Sequence, residues 1–61
     1  MIIVTFKEPG NKPEVIAFPT KLQALTHIAL ETGASVDIVK DEVQCTDVFV
    51  SEEGMWEVSH D

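Results

Sequence analysis

Residues 36–50 read Val36-Asp37-Ile38-Val39-Lys40-Asp41-Glu42-Val43-Gln44-Cys45-Thr46-Asp47-Val48-Phe49-Val50. The β-branched residues of Val36 to Val39 predict a short strand. Lys40-Asp41-Glu42 predicts a turn, and Val43 to Val50 a longer strand. Beyond it, Ser51-Glu52-Glu53-Gly54 predicts a second turn, with Gly54 free to take positive φ. Met55 to Ser59 then closes a three-stranded meander, and His60-Asp61 frays.

On the N-terminal side, Pro19-Thr20-Lys21-Leu22-Gln23 announces a helix. Thr20 is an N-cap residue, and Gln23 three positions later completes a capping box. The spacing predicts a helix from Lys21 to Thr32 that stops at Gly33, a residue suited to the left-handed C′ position. At 100° per residue, Leu22, Leu25, Ile28, Ala29 and Thr32 form a core stripe, while Gln23, Thr26, His27 and Leu30 point away. Lys21 in the first turn and Glu31 in the last oppose the helix dipole, each at about a few tenths of a kcal/mol. Solvent screening is the plainer account of them, and use by a partner the sharper one. Before the helix, Ile2–Phe6 and Glu14–Phe18 read as strands of a hairpin. Their connection is punctuated by Pro9, Gly10, Asn11 and Pro13. The predicted fold is α+β in the order ββαβββ: a small antiparallel sheet with one helix packed on one face.

The chain has 61 residues, 44% hydrophobic and 25% charged, which describes one globular domain, residues 1–61. A domain of this size buries only about 60% of its unfolded surface, so help from a partner or a second copy is a reasonable physical expectation. Cys45, the single cysteine, cannot form an internal disulfide and suits a reducing, cytoplasmic compartment. The start lacks the pattern of a secretory signal, and no apolar run is long enough for a membrane span.

Four Lys+Arg against eleven Asp+Glu give a formal net charge of −7. A direct grip on nucleic-acid phosphates would need clustered cations and is not expected. The charge is also lopsided. Residues 1–30 carry Lys7, Lys12 and Lys21 against Glu8 and Glu14, a net of +1. Residues 31–61 carry Lys40 against Glu31, Asp37, Asp41, Glu42, Asp47, Glu52, Glu53, Glu57 and Asp61, a net of −8.

With same-parity pairing through both meander turns, Val36, Ile38, Val48, Val50, Trp56 and Val58 face the helix. The opposite face then carries Asp37, Val39, Val43, Cys45, Asp47, Phe49, Met55 and Glu57, with Ile3 and Val15 beside them. That face mixes carboxylates with exposed apolar side chains. Simple solvation of the acids is the bland explanation. An interaction surface is the other, since mixed apolar patches in a single-sign field mark binding sites. The candidate partner-binding residues are Asp37, Asp41, Glu42, Asp47, Phe49, Glu52, Glu53, Met55 and Glu57.

Catalysis finds little support. Cys45 with His27 or His60 has no activation motif around it, and a partly buried structural thiol is the simpler reading. Asp37, Asp41 and Glu42 lack the alternating frame of a calcium loop, and two distant histidines make no zinc pattern. Gly10, Gly33 and Gly54 stand alone, so no phosphate-cradling loop exists. Trp56 reads as a core anchor, with an interface hot spot as the alternative. No catalytic residue, cofactor or metal is expected. The reading is a protein-binding inhibitor or modulator that turns an acidic face, a nucleic-acid mimic, toward a basic surface of a nucleic-acid-handling protein. The alternative is a self-associating subunit that dimerises through the outer sheet face. In size and acidity the chain is similar to small viral or mobile-element proteins that redirect host enzymes, a likeness of type that no motif carries.

Overall fold

The hairpin at the N-terminus forms as its β-branched and aromatic residues predict. In the computed structural model, which describes residues 1–61, strand β1 (Ile2–Lys7) pairs antiparallel with β2 (Glu14–Phe18), Ile2 opposite Phe18 and Phe6 opposite Glu14. Gly10 takes φ 81° in the connection, and Asn11 Nδ2 donates to Glu8 Oε1 at 2.9 Å. Helix α1 (Lys21–Thr32) starts and stops as read. Thr20 Oγ1 accepts from the Gln23 N–H, and Gly33 at φ 75° donates its N–H to the Ala29 carbonyl at 2.9 Å.

The next segment departs from expectation. Residues Val36–Thr46 form a second helix, α2, and only Val48–Val50 remains as a strand, β3. Strand β4 (Met55–His60) ends the chain. The element order is therefore ββααββ, with two helices and four strands. The fold is α+β with one antiparallel sheet of order β2-β1-β4-β3, not a meander that follows a single helix.

Several terms drive residues 36–46 into a helix. Ser35, extended at φ −79°, caps it by accepting from the Ile38 N–H at 3.3 Å. Asp37 lies in the first turn, where the dipole favours a carboxylate. Val36, Val39 and Val43 recur at helical spacing; Val39 and Val43 are 0% and 1% exposed. Five β-branched residues in a helix (Val36, Ile38, Val39, Val43 and Thr46) cost about 0.5 kcal/mol each. Burying just two valines returns roughly 1.5–3 kcal/mol each, which outweighs that cost. Geometry adds a further reason. Four strands span roughly 14 Å between the outer two. A helix is about 10 Å across, so α1 alone would leave part of the sheet bare.

The core lies between the helices and one sheet face. It joins Ile2, Val4, Trp56, Val58 and Phe49 to Ala24, Leu25, Ile28, Ala29, Val39 and Val43. Trp56 is the core anchor expected of it, packed on Phe6 with ring centroids 4.2 Å apart. Ala24 takes the core position expected for Leu22, which is 67% exposed, and the small side chain lets α1 sit close to the sheet. Leu30 is exposed, as its helical position implies.

The inner and outer sets also change. Val48 and Val50 face outward and Phe49 inward, the reverse of the expected register. Ile38 is exposed on α2, and Cys45 is exposed on the same helix, not half-hidden in a strand. Gly54 does not use positive φ. It is needed for close approach: a Cβ there would collide with the Lys7 carbonyl oxygen and lie 2.9 Å from the Phe6 ring. Asp47, in contrast, closes α2 at φ 60° and donates its N–H to the Val43 carbonyl at 2.8 Å. No helix is long and apolar enough to cross a membrane.

Two stability outcomes follow. Gly54→Ala should lower stability by about 1–3 kcal/mol, because rigid backbone has to move to admit the methyl group. Asp47→Gly should raise it by roughly 1 kcal/mol, since glycine takes the left-handed cap without strain and removes a carboxylate from the negative helix end. For a chain this short that is about 4–8 °C in Tm, read from thermal melts followed by circular dichroism.

Candidate functional site

The acidic residues singled out in the sequence occupy three places. Asp37, Asp41 and Glu42 are exposed on α2, Asp37 and Asp41 one turn apart on the same side. Asp47 is exposed at the C-terminal cap of that helix. Glu52 and Glu53 sit in the β3–β4 turn and line a cleft whose other wall is the α1–α2 junction at Thr32, Gly33 and Ala34. None of these six carboxylates makes a side-chain hydrogen bond or an ion pair.

The remaining candidates lie elsewhere. Glu57 and Met55 face the uncovered side of the sheet, where Glu57 Oε1 pairs with Lys7 Nζ at 3.0 Å. Phe49 is 8% exposed in the core and shows only an edge to the cleft beside Glu52 and Glu53, so it is a packing residue and not the exposed contact expected. The acids and the apolar residues thus do not share one sheet face as expected. The acids ride mainly on a helix and a turn. The bare sheet face carries Ile3, Thr5, Val15, Val48, Val50 and Met55 around the single Lys7–Glu57 pair. Val39 and Val43, expected on that face, lie on the buried side of α2, in the core on the opposite side of the sheet.

A second feature follows from the strand registers. On the inner face, Glu14, Phe6, Trp56 and Phe49 form one row across all four strands. Above that row, α1 brings His27 and Glu31, and the β3–β4 turn brings Glu53. Together, Glu14, Glu31, Glu53, His27, Phe6 and Trp56 line a cavity of about 170 Å³. His27, expected to face away from the core, is instead partly buried. Its ring centroid is 5.2 Å from that of Phe18 and 5.8 Å from that of Trp56, and its Nε2 is 3.9 Å from Glu31 Oε1. Trp56 Nε1 is buried without a hydrogen-bond partner. A buried donor left unpaired costs about 1–3 kcal/mol, and the aliphatic side chains of Val4 and Ile16 complete the cavity lining.

This constellation was within reach of the sequence only in part. Phe6 opposite Glu14 follows from the hairpin register. Trp56 beside Phe6 requires pairing the first strand with the last, which no local signal specifies. No family model matches the chain, and neither curated proteins nor solved structures show a significant similarity to it.

Proposed function

We propose that the chain is a non-catalytic protein-binding module, an inhibitor or modulator that brings α2 and the β3–β4 turn against a basic surface of a nucleic-acid-handling protein. The observation that supports this reading is the group of six unpaired, exposed carboxylates on those two elements and on the Asp47 cap between them. Asp37 and Asp41 repel one another at i,i+4 spacing by about 0.2–0.5 kcal/mol, so folding gains nothing from the pair. Held on a rigid helix, such groups occupy a groove built for phosphates and steer association electrostatically. Lys40 is the single cation on α2.

Titration calorimetry against purified basic DNA- and RNA-binding proteins, at low and high salt, tests the proposal. Binding should weaken steeply with salt. The triple variant Asp37→Asn/Asp41→Asn/Glu42→Gln should bind at least about tenfold more weakly, chiefly through a slower on-rate. Full-strength binding by that variant, or no binding to any such protein at low salt, would refute it.

The bare sheet face favours a second reading, self-association. Val15 and Val50 are 63% and 71% exposed there, on the two edge strands. Sedimentation equilibrium at micromolar concentration separates the two. A salt-insensitive dimer abolished by Val50→Lys supports self-association, and a monomer excludes it at those concentrations.

A further inference from the structure

The sheet ends on one side in an open edge. β2 is the outermost strand there, and beyond its ladder to β1 no backbone group bonds to it. The outward N–H and C=O groups of Glu14–Phe18 therefore lack a partner strand. Pro13 and Pro19 bracket these five residues, which confines an added strand to them and narrows its register. The six unpaired carboxylates of α2, its Asp47 cap and the β3–β4 turn lie toward the other edge, because α2 packs against β3.

Two independent features select the occupant of this edge. The first is spacing. α1 packs on both β1 and β2, so its axis lies about half a strand spacing, roughly 2.4 Å, inside β2. A second β2, paired antiparallel about a two-fold axis, lies about 4.8 Å outside the first, with its own α1 symmetrically beyond it. The two helices are then about 10 Å apart, the distance at which helices pack. The second feature is charge. Only two residues separate β2 from α1, which runs back along the strand, so Glu31 in its last turn lines the same cavity as Glu14 at the start of β2. An antiparallel copy sets the first turn of α1, with Lys21, beside that acidic end. Lys21 and Glu14 have no ion-pair partner within the chain, and Glu31 has only His27 at 3.9 Å. Lys21 and Glu31 each oppose the dipole of their own helix. Beside an antiparallel neighbour, each stands at the end of the other dipole that favours it. The matching partner carries the same charges in reverse order, and a second copy does so by symmetry.

We propose that the chain forms a symmetric dimer by joining β2 to β2 of a second copy, with Ile16 on the two-fold axis and α1 packed antiparallel on its twin. The two four-stranded sheets become one continuous sheet. The apolar depression of Phe18, Pro19, Leu22 and Leu30 at the end of β2 supplies surface to bury. This interface is separate from the bare sheet face, and it leaves one acidic α2 free at each far end of the dimer.

Charge complementation tests the interface. Sedimentation equilibrium of the full chain, from micromolar to millimolar concentration, should show a dimer that Val50→Lys leaves intact. Lys21→Glu and Glu31→Lys should each weaken it about tenfold, since each sets like charges against each other at both ends of the seam. Both substitutions improve the dipole of their own helix, so the variants keep the circular dichroism spectrum of the parent. An equimolar mixture of the two variants should associate as tightly as the parent, because each supplies the charges the other needs. Amide exchange followed by NMR should slow at the outward N–H groups of Glu14–Phe18 as concentration rises. A monomer throughout, a dimer lost with Val50→Lys, charge variants that associate like the parent, a mixture no tighter than its components, or β2 amides indifferent to concentration overturns the edge dimer. The acidic-module reading stands or falls separately, since a monomer that captures basic proteins removes only the dimer.

Discussion

The pairing of the first strand with the last holds this molecule together. β1 and β4 run antiparallel at the centre of the sheet, from Ile2 opposite His60 to Lys7 opposite Met55. Asp61 adds one more bond, from its N–H to the Met1 carbonyl at 3.0 Å. Closing a loop of about fifty residues costs roughly 3–4 kcal/mol of chain entropy. Without that closure the chain is two separate hairpins, each too small to persist, and two helices with no complete face to cover. The contact of Phe6 with Trp56 across β1 and β4 contributes roughly 0.5–1.5 kcal/mol beyond simple burial. Folding is therefore cooperative, because the helices become useful only once both hairpins have joined.

The same pairing sets the asymmetry of the surface. The single connection between the hairpins contains both helices, so α1 and α2 lie on one side and the other side of the sheet stays open. Pro13 and Pro19 flank the edge strand β2, and the other edge, β3, is only three residues long. Both features limit unwanted strand addition. The open face holds its apolar residues apart with the Lys7–Glu57 pair, an exposed interaction worth little in stability.

Charge and cavity are linked by position. Glu53 lines both the aromatic cavity and the cleft beside the α1–α2 junction. The β3–β4 turn thus borders both depressions.

How much of this was legible from residues alone depends on the range of the interaction involved. The β1–β2 hairpin and α1 rest on local signals: β-branched and aromatic residues in the strands, Thr20 and Gln23 at the helix start, Gly33 at its end. Those elements form as read. In residues 36–46 the β-branched side chains pointed to strands, whereas Val36, Val39 and Val43 at helical spacing, with Ser35 before them, pointed to a helix. Propensity differs by only about 0.5 kcal/mol per residue, so burial against the sheet decided between the two. That choice moved the acids from a sheet face to a helix and reversed the register of β3. The cavity is a product of tertiary structure, since Glu14, Glu31, Glu53 and Trp56 meet only after the chain's two ends pair. Composition alone established the acidity of the later half. Which neighbours those carboxylates acquired was settled by strand order, because no short-range term distinguishes β1 beside β4 from β1 at an edge.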